Sequence, residues 1–206
     1  MIEKTLERAL SENYPMIIIF TVVIISIRVS YLITHKEKFI FYKEMFMLAF
    51  LIYSLLLFYV VTFQDVNYGT NNFIPFHEIF RYEFGSSFFI HNVLGNIILF
   101  IPFGYFVSHI MKSKRPYAMF IISLITSCII EFTQLKIGRT FDVDDILLNM
   151  TGALFGFIIY LIIDILEKKL PPFFSTNLAK NIFVIIMIIL VALLYSKFTF
   201  WGIVRW

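Results

Sequence analysis

Apolar residues along this 206-residue chain gather in blocks. Six blocks stand out, at about 14–34, 44–63, 92–111, 116–137, 145–166 and 180–200, separated by short polar interruptions. Each is close to the ~20 residues that cross a hydrocarbon core of about 30 Å at about 1.5 Å per residue. Inside lipid every backbone N–H and C=O must find an internal partner. The alternation of a barrel strand is absent, so the blocks predict helices. The expected fold is all-α: a polytopic transmembrane bundle of about six spans, one integral membrane domain over 1–206, and not a soluble enzyme.

One interruption, 64–91, is long enough to hold structure of its own. Pro75 suits the first turn of a helix, where its missing N–H costs nothing. After it Phe76, Phe80 and Phe84 recur every fourth residue, with His77 and Arg81 on another face. The pattern predicts a short helix that is either interfacial or re-entrant, lying in the headgroup plane or packed as a plug over the third to fifth spans.

Composition strengthens the membrane reading. Hydrophobic residues are 60% and charged residues 15%, against about a quarter charged in soluble domains. The first block is too long and branched for a signal-peptide core, and runs into Thr34-His35-Lys36-Glu37-Lys38 without a small-residue cleavage site. It is expected to be a retained span. Cys128, the only cysteine, lies in an apolar block and permits neither an internal disulfide nor a cysteine zinc cluster.

Charge sets the expected orientation. Lys36, Lys38 and Lys43, then Lys112, Lys114 and Arg115, then Lys168, Lys169 and Lys180 crowd one set of loops. The opposite loops offer Arg81, Lys136 and Arg139. The positive-inside rule therefore puts both termini outside, together with loops 64–91 and 138–144, against a mild contrary pull from Lys4 and Arg8. The basic rim is explained by orientation and lipid attraction, and no nucleic-acid partner is implied. Arg28 lies near the inner end of the first span, where it can snorkel to the headgroups. Tyr14, Tyr42, Tyr68, Tyr117, Tyr195, Trp201 and Trp206 fall at expected interfaces. No internal repeat is visible.

The outer ends of the third to fifth spans are polar. Asn92 and Asn96 stand one turn apart. Ser123, Ser127, Glu131 and Gln134 form one helical stripe, and Asp145, Asn149, Gly152 and Gly156 form another. Stripes of this kind avoid hydrocarbon by facing one another, which predicts an outward-opening pocket. Glu131 is its key residue, because an ionisable group within a span is a functional candidate by default. Structural roles compete with this reading. Asp142 and Asp145 have capping-box spacing, Asn92 can cap the third helix, the two glycines can bring helices close, and Glu131 can pair with Arg139.

Three segments together resemble the VanZ-like family of bacterial membrane proteins: Asn72-Phe73-Ile74-Pro75-Phe76; Asn92-Val93-Leu94-Gly95-Asn96 continuing to Pro102-Phe103-Gly104; and Glu131-Phe132-Thr133-Gln134 with Arg139, Asp142, Asp144, Asp145, Asn149 and Gly152. The resemblance covers a core of about 45–165 and leaves the spans at 14–34 and 180–200 outside it. It implies a multi-pass protein of the bacterial cytoplasmic membrane that bears on susceptibility to teicoplanin-type glycopeptide antibiotics. It supplies no reaction.

The preferred chemical reading is a binding site for a polar cell-envelope molecule, such as a lipid-linked wall precursor or the glycopeptide itself. Asn92, Asn96, Gln134 and Asn149 would hydrogen-bond it, and Arg139 would take a phosphate or carboxylate bidentately. Asp142, Asp144 and Asp145 would attract a cation or the amino group of a ligand. The rival is an intramembrane metal-assisted hydrolase or transferase acting on lipid-linked envelope precursors, with Glu131 as general acid or base and the aspartates on Mg²⁺. A third reading is a flippase or ion-coupled transporter with Glu131 carrying protons. Paired zinc histidines, a serine elbow and a phosphate-binding glycine loop are all missing from the sequence. The sequence calls for no resident metal and no cofactor.

Overall fold

The computed structural model describes residues 2–63 and 70–204, with side chains described for 15–61 and 70–193. The described residues are helical apart from turns and one isolated parallel bridge between Asn72 and Asp142. In chain order the helices are α1 (Ile2–His35), α2 (Phe41–Phe63), the short α3 (His77–Arg81), α4 (Gly95–Met111), α5 (Pro116–Lys136), α6 (Val143–Lys169) and α7 (Asn177–Val204). A π-helical turn, Phe89–Leu94, leads into α4, and a 3₁₀ turn, Pro172–Ser175, precedes α7.

Five stretches are long and apolar enough to cross a membrane: Pro15–His35, Phe41–Val61, Phe89–Met111, Pro116–Lys136 and Val143–Lys169. They fall on the first five expected spans. The sixth falls on α7, whose described apolar part is Asn177–Leu193. The rest of α7 lies outside the residues with described side chains, as do Tyr14, Tyr68, Tyr195, Trp201 and Trp206.

The bundle is built on α6, which packs most extensively on α4 and next on α5. Lipid tails are as apolar as leucine, so helices in a bilayer associate through close packing and hydrogen bonds. Glycine supplies the close packing. A Cβ on Gly104 would stand 2.0 Å from the Ala153 carbonyl oxygen, one on Gly152 2.2 Å from that of Ile97, and one on Gly156 2.0 Å from that of Ile101. Leu57, Val61, Phe100, Phe103, Val107, Met119, Ala153, Phe157 and Tyr160 fill the core around this seam. Pro102 sits within α4, and the hydroxyl of Tyr53 on α2 donates to the nearby Leu99 carbonyl at 2.6 Å. The outward faces remain apolar and exposed, as on Ile121, Ile125, Ile129 and Phe132 of α5, which suits lipid contact.

The flanking helices attach by polar contacts. Arg28 does more than snorkel: its Nε and Nη2 donate to the two carboxylate oxygens of Glu44 on α2, each at 3.0 Å. Helix α7 is held by the Lys180–Glu167 ion pair and by the Tyr42 N–H, which donates to Asn181 Oδ1 at 2.9 Å.

Candidate functional site

The turn between α5 and α6 organises one end of the bundle. Helix α5 ends in a Schellman motif: the Arg139 N–H donates to the Gln134 carbonyl at 2.9 Å and the Gly138 N–H to that of Leu135 at 3.3 Å. Gly138 takes φ +87, a conformation that costs a residue with Cβ about 1 kcal/mol or more. The motif turns Arg139 back over the bundle. Its Nη1 and the Gln134 side-chain amide both donate to the Val61 carbonyl near the end of α2, each at 2.8 Å. Among the described residues Arg139 makes no ion pair.

Asp142 caps α6 by accepting the Asp144 N–H at 2.8 Å. The reciprocal half of a capping box is supplied by another helix. Glu131, only 1% exposed on α5, accepts the Asp142 N–H at 2.9 Å. The expected roles of Asp145 as box partner and of Arg139 as ion-pair partner to Glu131 are therefore not what the fold uses. Asp145 instead accepts from the Asn96 amide of α4 at 2.5 Å. One turn deeper the Asn149 amide donates to Ser127 at 2.9 Å, joining α6 to α5.

Asp144 serves the loop that follows α2. It is 1% exposed. Its Oδ1 accepts the Phe76 N–H at 2.5 Å, and its Oδ2 accepts the N–H groups of Glu78 and Ile79 at 2.7 and 3.2 Å. A side chain of α6 thus caps the start of α3 from across the fold. Asn72, also buried, donates to Asp142 Oδ1 at 2.8 Å, and its backbone pairs with Phe141 and Val143. The short helix expected after Pro75 exists, with two differences. Phe76 stands before it with φ 67, so Pro75 does not open it, and it ends at Arg81, before Phe84.

Beneath α3 lies a mainly polar cavity of about 100 Å³. Asn92, Asn96, Gln134, Arg139, Asp142, Asp144 and Asp145 line it, as do Glu78, Ile79 and Tyr82 from α3 and its end, with His91, Thr140, Val61, Val93 and Leu148. The π-helical turn lies on its wall and carries His91, Asn92 and Val93. Asn92 is not the cap expected from its position. The start of that helix is marked by Ser86, whose Oγ accepts the Phe89 N–H at 3.1 Å, and the Asn92 amide makes no hydrogen bond among the described residues. Seven of the nine residues expected to gather do line the cavity. Glu131 braces its floor through Asp142, and Asn149 lies deeper, within the bundle.

Sequence reasoning missed Glu78, Tyr82, His91 and Thr140. The signal for the first two was present, since they stand i, i+4 on the face opposite the phenylalanines. Glu78 also pairs with Arg81 at 3.1 Å. Burial raises the Asp142 carboxyl above its ordinary range, with Asp144 and Glu78 adding to the effect and the hydrogen bonds from Asp144 N–H and Asn72 opposing it. Burial likewise raises the Tyr82 phenol, with Glu78 contributing. Among the described residues no three His, Cys, Asp or Glu side chains are arranged to hold a metal ion, and both oxygens of Asp144 are engaged by backbone donors.

Searches of curated proteins and of solved structures return no match. A sequence model of the family described as VanZ/LLP1 matches residues 45–164, which is more than half of the chain and runs from α2 through α6. The matched stretch contains every residue that lines the cavity, and leaves α1 and α7 on either side of it. On this match the chain, a multi-pass helical membrane protein, belongs to the VanZ/LLP1 family.

Proposed function

We propose that the cavity under α3 binds the head of an anionic cell-envelope amphiphile, with Arg139 as its charged anchor. The supporting observation is the state of Arg139. Its guanidinium lines a cavity rich in carboxylates yet makes no ion pair among the described residues, and the one hydrogen bond it makes among them goes to a backbone carbonyl. Several of its donors remain to take a phosphate or carboxylate. Asn92, Asn96 and Gln134 surround it with amides suited to hydroxyl or peptide groups. Asp142 and Asp145 favour a head that also carries an amine or hydroxyl donor.

Size narrows the choice. A cavity of about 100 Å³ has room for roughly three waters at about 30 Å³ each, and pockets for drug-sized ligands run to about 300–1,000 Å³. A phosphate-sized group fits and a whole glycopeptide does not. A lipid-linked wall precursor or similar lipid is the favoured class, and lowered glycopeptide susceptibility would follow from altered presentation of such a precursor. In this reading the protein sits in a bacterial cytoplasmic membrane with both termini and the cavity outside.

Two substitutions test it in a teicoplanin susceptibility assay. Arg139→Lys replaces a bidentate fork by a point donor. Glu131→Gln retains an acceptor for Asp142 N–H but removes the charge. Both variants are expected to insert normally; Arg139→Lys should lose any protection the wild type gives, whereas Glu131→Gln, which keeps the brace on Asp142, should retain it. Full protection by Arg139→Lys would refute the role assigned to it.

A further inference from the structure

The surface beside the cavity carries an aromatic edge that the site itself does not use. Phe76, Phe80, Phe84 and Phe88 are all exposed, Phe80 to 82% and Phe84 to 91%. They turn away from the cavity, while Glu78, Ile79 and Tyr82 of the same segment line it. Neighbouring rings continue the edge, with Phe76 6.2 Å from Phe80 and Phe84 5.1 Å from Phe89. The height of this edge is fixed by Asp144. That residue lies in the first turn of a membrane-crossing stretch, Val143–Lys169, and hydrogen-bonds Phe76, Glu78 and Ile79. The segment therefore sits level with the ends of the spans, and exposed Phe88, Ile90 and Leu94 lead from it to exposed Ile98 on α4. A bilayer spanned by these helices would place headgroups and upper acyl chains at that level, where aromatic rings partition favourably.

We propose that this edge is embedded in the adjoining leaflet and that the cavity admits its occupant sideways from that leaflet. The occupant is a phosphate-bearing amphiphile whose head reaches Arg139 while its chains stay among the phenylalanines. This rests on the binding role proposed for the cavity and adds the route by which the amphiphile enters. An amphiphile resolves a mismatch of size, since only its head must fit about 100 Å³. It also accounts for a segment that turns Glu78 and Tyr82 to the cavity and leaves Phe76, Phe80 and Phe84 exposed.

The test uses the full chain in phosphatidylglycerol vesicles, with the two native tryptophans, Trp201 and Trp206, replaced by phenylalanine. Phe80→Trp and Phe84→Trp serve as reporters that need no bound ligand. Both should emit at short wavelength and be quenched several-fold more by a spin label high on the acyl chain than by aqueous iodide. A photoreactive phosphatidylglycerol with its diazirine near the head should then label residues 76–96. Arg139→Lys should reduce that labelling several-fold, and soluble glycerol phosphate should compete poorly. Iodide-dominated quenching would overturn the lateral route while leaving the binding role untouched. Reporters in lipid with labelling indifferent to Arg139→Lys would instead overturn the binding role. Efficient competition by glycerol phosphate would mean supply from water, and would defeat the amphiphile.

Discussion

Asp142 and Asp144 look alike in sequence, and the structure gives them different demands. Asp142 uses one oxygen, Oδ1, for both the Asp144 N–H and the Asn72 amide. An asparagine can present the same acceptor, so Asp142→Asn should cost at most about 1 kcal/mol. Asp144 uses both oxygens for three backbone donors. Asp144→Asn must turn an NH₂ toward one of them, an unsatisfied contact worth about 1–3 kcal/mol. Thermal unfolding in detergent should rank the variants in that order, and hydrogen exchange should show residues 76–82 opening in Asp144→Asn. The raised Asp142 carboxyl adds a pH signature. A folded-state value above the unfolded one favours the folded state below the ordinary carboxylate value, and that advantage is lost as pH rises through the raised value. The melting temperature of wild type relative to Asp142→Asn should therefore climb on acidification through that window. A flat difference would show that Asp142 titrates as it does in the unfolded chain.

At the level of helices, the seam between α4 and α6 depends on having no side chain at three positions. Gly156→Ala would place a Cβ 2.0 Å from the Ile101 carbonyl oxygen and 2.6 Å from the Tyr105 nitrogen. Backbone cannot retreat as a flexible side chain can, so the helices must part, at a cost of about 1–3 kcal/mol or more. Gly104→Ala should behave alike, and both should lower the unfolding temperature and the yield of folded protein. The seam was partly legible, because Gly152 and Gly156 share a stripe with Asp145 and Asn149. Which neighbour each stripe residue meets was not. Asn149 turns to α5 and Asp145 to α4, a division set by interhelical packing that residue spacing alone does not encode. The π-helical turn was also hidden. Its wider winding leaves no mark in the apolar period, yet it puts Asn92 on the cavity wall and frees it from capping.

Across the whole molecule, the spans were the most legible feature, since hydrocarbon imposes length and backbone satisfaction on any sequence that crosses it. The cavity was legible as a set of polar residues with nowhere else to go. The part played by α3 was not, because its hold on Asp144 joins positions far apart in the chain through backbone N–H groups, which carry no residue signature. Orientation has its own test. In a Cys128→Ser background, single cysteines at positions 70 and 140 should react with an impermeant reagent added outside, and those at 37 and 113 should not. Labelling at 113 in intact cells would invert the topology and turn the cavity to the cytoplasm. The claim that joins all three scales is that Arg139 anchors an anionic amphiphile in the cavity under α3. Native mass spectrometry of protein released gently from membranes measures it most directly. The wild type should carry one tightly held phosphate-bearing lipid per chain, and Arg139→Lys, equally folded, should lose most of it. Equal retention of that lipid by both proteins, or none by the wild type, would contradict the account.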